Sequence, residues 1–169
     1  EGRLLEVVQQ QGGSLLQNSV FQVFFPSPAG YNERESTRFT IPFGSWQRVA
    51  LDFPCPVAGV PVRIDPSCHR CLVQLGGISL SDAEGRVLWR LTRENAAQIK
   101  VGGTAVPVSR GQLLHLLSDG DDPQLFLPPL ARLPVGGKVR LELMVRLEVD
   151  LTRLVGLLSD LLQASPRVE

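Results

Sequence analysis

Apolar and polar residues alternate with a period of two along much of this chain, the spacing of half-buried β-strands. The first run, Val20-Phe21-Gln22-Val23-Phe24-Phe25, is β-branched and aromatic and stops at Pro26-Ser27-Pro28, as a buried strand entering a loop does. Residues 37–41 alternate and close at Pro42, and Trp46, Val49, Leu51 and Phe53 supply the apolar positions of a further strand over 46–53. A short strand over 60–64 ends at Asp65-Pro66. Residues 72–80 alternate through Val73, Leu75, Ile78 and Leu80, with Gly76-Gly77 shifting the phase as a bulge would. Asp82-Ala83-Glu84-Gly85 predicts a hairpin turn into Val87-Leu88-Trp89. A brief helical turn over 94–97 and weak strands over 105–108 and 124–127 follow, the latter two separated by the acidic turn Ser118-Asp119-Gly120-Asp121-Asp122-Pro123. The cleanest strand is 138–149, where Val139, Leu141, Leu143, Val145, Leu147 and Val149 face one way and Lys138, Arg140, Glu142, Met144, Arg146 and Glu148 the other.

Beyond Asp150 the period changes. Leu151, Leu154, Val155, Leu158, Leu161 and Leu162 fall at helical spacing with Asp150 as N-cap, and Ser165-Pro166-Arg167 reads as a linker. The chain therefore divides into a lead-in segment over 1–18, a β module over 19–150 and an amphipathic helix with linker over 151–169. Many short strands separated by Gly, Pro and Asp turns predict an all-β fold: an antiparallel two-sheet β-sandwich, jelly-roll or immunoglobulin-like, with a C-terminal helix.

Composition narrows the function classes. Seventeen basic residues balance seventeen acidic ones among 169, so no net field draws in nucleic acid or an anionic membrane surface. The apolar runs fall short of the ~20 residues a membrane helix needs. The start at Glu1-Gly2-Arg3 reads as that of a piece cut from a larger protein. Three cysteines, Cys55, Cys68 and Cys71, form no disulfide framework, and a reducing, cytoplasmic setting is expected.

Reactive chemistry has little to stand on. His69 and His115 are the only histidines, and they lie in unrelated contexts with no Gly-x-Ser-x-Gly elbow nearby. Cys68-His69-Arg70-Cys71 has the spacing of half a zinc site or a redox pair. It lacks a second ligand pair and leads into a strand rather than opening a helix, so a turn is the expectation; if a metal bound, Cys68 and Cys71 would hold it. The Asp119, Asp121 and Asp122 cluster lacks the closing Glu of a calcium loop and reads as a solvated turn. No phosphate-binding glycine loop is present. No enzyme, no cofactor and no metal is expected.

An ordered set of segments is more specific than composition: Val20-Phe21-Gln22-Val23-Phe24-Phe25, Gly30-Tyr31-Asn32-Glu33-Arg34-Glu35-Ser36, Trp46-Gln47, Val62-Arg63-Ile64-Asp65-Pro66, Ile78-Ser79-Leu80-Ser81-Asp82-Ala83-Glu84-Gly85 and Ser118-Asp119-Gly120-Asp121-Asp122-Pro123-Gln124-Leu125. Over most of 20–149 this succession resembles the β-sandwich accessory modules that accompany glycosyltransferase, and sometimes methyltransferase, domains in bacterial enzymes of surface-polysaccharide assembly. The resemblance implies a cytoplasmic, carbohydrate-related, non-catalytic part of a multidomain protein.

Sugar recognition calls for an aromatic face ringed by planar hydrogen-bonding groups. Tyr31 and Glu33 lie in the loop after the first strand, Arg63 and Asp65 end another, and Trp89 closes a third, so these five are the candidate carbohydrate-binding residues if the strand ends converge. Trp46 and Trp89 stand in strand patterns that also suit the core. The expected function is a carbohydrate-binding-like module that positions glycan near a catalytic domain. The alternative is a structural module that packs against neighbouring domains or pairs chains through the C-terminal helix, with no sugar ligand.

Overall fold

The computed structural model describes residues 17–54, 59–130, 137–149, 155–156, 159–160 and 163. Its strands are β1 (Asn18–Phe24), β2 (Ser36–Pro42), β3 (Gln47–Pro54), β4 (Arg63–Asp65), β5 (Cys71–Asp82), β6 (Val87–Arg90), β7 (Lys100–Arg110), β8 (Leu113–Phe126) and β9 (Lys138–Glu148). Every pairing is antiparallel. The all-β class follows directly from the period-two patterning, and each predicted strand has a counterpart.

Connectivity differs from the expectation. The strands form one nine-stranded hydrogen-bonded network, in the order β2-β1-β4-β8-β5-β9-β3 with β6 beside β5 and β7 beside β8, rather than two separate sheets. Register explains why. β4 faces β8 with Arg63 opposite Phe126 and Ile64 opposite Leu125, and β5 faces β8 in the same register from Cys71 opposite Ser118 to Gly76 opposite Leu113. β4 and β5 are thus two halves of one strand path, interrupted by a corner at 66–70. β8 turns its own corner alongside, because the β7–β8 register jumps between Gly103 and Ala105, where Pro123 and Ser118 are the successive partners. Long strands that bend at such corners carry one sheet around a single core. The acidic segment 118–123, expected as a turn between strands, is this corner inside β8.

Gly103 makes the corner sterically feasible. Its φ is 59°, and an added Cβ would collide with the Asp122 carbonyl oxygen.

The ends of the strand order nearly meet. β2 and β3 follow one another through the connector 43–46, whose Gly44 N–H donates to the Leu147 carbonyl at 2.8 Å. Trp46, expected at an apolar strand position, lies in this connector and is 38% exposed. One cluster then gathers Phe21 and Val23 of β1, Val49, Leu51 and Phe53 of β3, Val73, Leu75, Ile78 and Leu80 of β5, Leu114, Leu116 and Leu125 of β8 and the five apolar residues Val139, Leu141, Leu143, Val145 and Leu147 of β9. Burying each such side chain contributes roughly 1.5–3 kcal/mol against exposure. Phe25, just past β1, stacks on Phe53 at 4.9 Å between centroids.

The bulge expected at Gly76-Gly77 is a register shift in the β5–β9 pairing between Gly76 and Ser79. The hairpin turn after Asp82 is built by its carboxylate, which accepts from the Glu84 and Arg86 N–H groups, both at 2.9 Å. Residues 96–98 form the short helical turn expected over 94–97. The lead-in residues 1–16 and most of 151–169, with the leucine stripe Leu151, Leu154, Leu158, Leu161 and Leu162, lie outside the described residues. Among the described ones, Val155, Gly156, Ser159, Asp160 and Gln163 have helical backbone, and no helix is long and apolar enough to cross a membrane.

Candidate functional site

β1 is paired by β2 on one side and β4 on the other, which aligns side chains from distant parts of the chain across one outer face. Gln22 sits opposite both Arg38 and Asp65, and Phe24 sits opposite both Ser36 and Arg63. Phe126 of β8 lies opposite Arg63 on the far side.

The loop leaving β1 is tightly built. Phe25 N–H donates to the Glu35 carbonyl at 2.8 Å, so the chain returns to where it left. Asn32 caps the single 3-10 turn Glu33–Glu35, its Oδ1 accepting from the Arg34 and Glu35 N–H groups at 3.1 Å each. Hydrogen bonds from Ser27 and Asn32 hold the Glu35 carboxyl below its ordinary range.

This loop carries Tyr31 back over the sheet. The Tyr31 hydroxyl donates to the Pro61 carbonyl at 2.6 Å, and its ring meets Phe24 edge-on at 6.5 Å and Phe126 at 6.0 Å. Arg63 lies over the Phe24 ring at 4.8 Å and near the Tyr31 ring at 6.0 Å. Its guanidinium donates to both oxygens of Asp65 at 2.7 Å and to Asp122 Oδ1 at 3.0 Å. Glu33 accepts from Gln22 Nε2 and Arg38 Nη2, each at 2.8 Å.

Burial governs the electrostatics. Desolvation raises the Asp65 carboxyl above its usual range, the Arg63 hydrogen bonds and charge pull it back, and Asp122 and Glu33 push it up further. Burial likewise raises the Tyr31 hydroxyl, against the opposing charge of Arg63.

Four of the five sequence candidates, Tyr31, Glu33, Arg63 and Asp65, therefore come together. Trp89 does not join them. It stands on β6 opposite Leu80, half-buried against the core, with its indole N–H buried and without a hydrogen-bond partner among the described residues. Sequence reasoning missed Gln22 and Asp122, as well as the Phe24 and Phe126 rings. The polar Gln22 inside an oily run was the available signal, since a lone planar amide on a strand face has to be hydrogen-bonded.

A depression of about 570 Å³ lined by Ala29, Asn32, Glu33, Arg34 and Glu35 shares Glu33 with the cluster. A second depression, about 310 Å³, is lined by Asp52, Ser81, Asp82, Lys138 and Arg140 among others, with Asp82 held by the turn N–H groups and Arg86, and Asp52 by Arg140. Among the described residues no cluster of His, Cys, Asp and Glu has a metal-binding arrangement. Aromatic, carboxylate, guanidinium and amide groups thus stand together on this face, hydrogen-bonded chiefly to one another.

No family model, no curated protein and no solved structure matches the chain.

Proposed function

We propose that this chain is a non-catalytic accessory module that binds glycan weakly on the face built by β1, β4, β8 and the loop 25–35, within a larger cytoplasmic bacterial protein of the glycosyltransferase type. The convergence of Tyr31 and Glu33 with Arg63 and Asp65 on one face supports this reading, since local sequence does not require the loop and β4 to meet. Two rings and two carboxylates around one guanidinium, with Glu33 beside them, give a polar surface for rim contacts with hydroxyl pairs. The ordered segments that resemble polysaccharide-assembly accessory modules supply the protein context. A glycan array followed by calorimetry with the bound oligosaccharide tests it. Binding should be saturable and lost in Tyr31→Ala and Asp65→Asn, with no release of reducing ends. Absence of binding across the array, or cleavage of the glycan, would overturn it.

A second reading has its own support. On the outer side of β7, β8 and β9, Val106, Leu113, Leu117 and Met144 are 51%, 43%, 39% and 37% exposed. An apolar patch of that kind favours a structural module that packs against another domain or chain without sugar. Sedimentation of the chain and of Leu117→Glu tests it, since an association that the substitution abolishes is required.

A further inference from the structure

The corner at 66–70 and the first residue of β5 carry the Cys68-His69-Arg70-Cys71 sequence, and the corner is tied to the start of β1. Ser19 Oγ accepts from the Cys68 N–H at 3.1 Å and lies 2.9 Å from Ser67 Oγ, 2.9 Å from His69 Nδ1 and 3.6 Å from Cys68 Sγ. His69 Nδ1 is 3.3 Å from Cys68 Sγ, and the edge of the imidazole is steadied by the Phe43 ring at 6.0 Å. Ser67 Oγ accepts from the His69 N–H at 3.0 Å and from the Cys71 thiol at 3.3 Å. The two thiols thus stand at opposite ends of a short path through two hydroxyls, and only one of them faces solvent: Cys68 is exposed, Cys71 is buried.

We propose that Cys68 and Cys71 form a two-thiol redox site, in which Cys68 reacts first with a low-molecular-weight disulfide and Cys71 resolves the product to a Cys68–Cys71 disulfide. The Cys68 thiol passes its proton to His69 Nδ1, and the thiolate attacks one sulfur of the reagent. A Cys68–reagent S–S bond forms, the reagent's own S–S bond breaks, and the leaving thiolate takes up a proton. Cys71 then attacks the Cys68 sulfur, forming the internal disulfide, and its proton passes to the second reagent thiolate, which leaves as a thiol. Two protein thiols lose two electrons, and one disulfide becomes two thiols.

The division of roles follows from surroundings. A thiol is nucleophilic as thiolate, and a neighbouring imidazole that accepts its proton raises that fraction. Burial pushes the Cys71 thiol up to about 11, which disfavours it as the first nucleophile and suits it to a step driven by proximity. The helical context of a redox Cys-x-x-Cys is absent here, and the group nearest the Cys68 thiol is the His69 imidazole, with Nδ1 at 3.3 Å.

Treatment of the full chain with oxidised glutathione, quenched by alkylation and mapped by mass spectrometry, tests this. The expected result is a peptide spanning 68–71 that carries an internal disulfide and takes up no alkylating agent. Cys71→Ser should stop at a glutathione adduct on Cys68, and His69→Ala should slow that first step several-fold while circular dichroism stays that of the parent. Persistence of the glutathione adduct on Cys68 in the unsubstituted chain, or equal rates with and without His69, would overturn the proposal. So would a chain whose Cys68 and Cys71 both remain free at an excess of reagent that oxidises a reference dithiol peptide.

Discussion

Arg63 and Asp65 stand two residues apart on one face of β4 and close into a planar fork, Nε to Oδ1 and Nη2 to Oδ2, both at 2.7 Å. The side chains are 19% and 16% exposed, so the pair is shielded more than an ordinary surface ion pair. The same guanidinium reaches Asp122 on β8 and covers the Phe24 ring of β1, which makes it the point at which three strands share one contact.

Arg63→Lys keeps the charge but loses the fork, and unfolding in urea should show a loss of about 1–2 kcal/mol with unchanged denaturant slope. Arg63→Ala should cost more, about 3 kcal/mol near neutral pH, because Asp65 is left ionised without its partner. Losing the guanidinium raises the Asp65 carboxyl further above its unfolded value. The folded variant then binds a proton that the unfolded chain does not, so its deficit should shrink as pH falls through the carboxylate range. A deficit constant from neutral pH to acid would contradict this assignment.

His115 gives a pH effect of opposite origin. Its ring is buried on β8, with Nδ1 2.8 Å from Ser109 Oγ and Nε2 3.1 Å from Gln74 Nε2, and burial lowers its pKa. The folded state therefore binds a proton less readily than the unfolded one. Stability should be complete above the ordinary imidazole value and fall as pH drops through it toward the lowered folded value. Urea midpoints measured from pH 7.5 to 5 should fall for the parent chain and be flatter for His115→Gln.

Two glycine positions separate backbone strain from collision. Gly85 has a φ of 81° with open space around a would-be Cβ, so Gly85→Ala should cost only about 1 kcal/mol of strain. Gly103→Ala adds a clash with the Asp122 carbonyl at the β7–β8 corner and should cost at least about 1 kcal/mol more. Thermal unfolding of both variants side by side checks the difference, and equal midpoints would show that the corner yields freely.

How much of this was written in the sequence depends on the range of the interaction. β2, β3 and β9 follow from apolar residues at alternate positions, β1 and β5 from oily, β-branched runs buried on both faces over part of their length, and the strand 138–149 could hardly be read otherwise. β7 and β8 show only short, weak patterns in the sequence because β7 is mostly exposed, with Gly102, Gly103 and Pro107 in it, and because Asp119, Gly120, Asp121 and Asp122 break the pattern of β8 without ending it. Corners at 66–70 and 119–122 leave no period of their own, so one bent sheet and two flat ones have the same alternation. The site was half legible for the same reason. Loop chemistry marked Tyr31 and Glu33, and the turn at Asp65-Pro66 marked Arg63 and Asp65, but their meeting depends on β1 pairing with β4, a contact between segments some forty residues apart. Trp89 fitted both a platform and a strand, and its place opposite Leu80 keeps it with the core.

A glycan surface on the face shared by Tyr31, Glu33, Arg63 and Asp65 is open to direct test. Titration of the isotopically labelled chain with a bound oligosaccharide, followed by amide chemical shifts, addresses this most directly. Shifts should concentrate on Gln22, Tyr31, Glu33, Arg63, Asp65 and Asp122 and vanish in Tyr31→Ala. Shifts confined to Leu113, Leu117 and Met144, or an unchanged spectrum with every oligosaccharide tried, would contradict it.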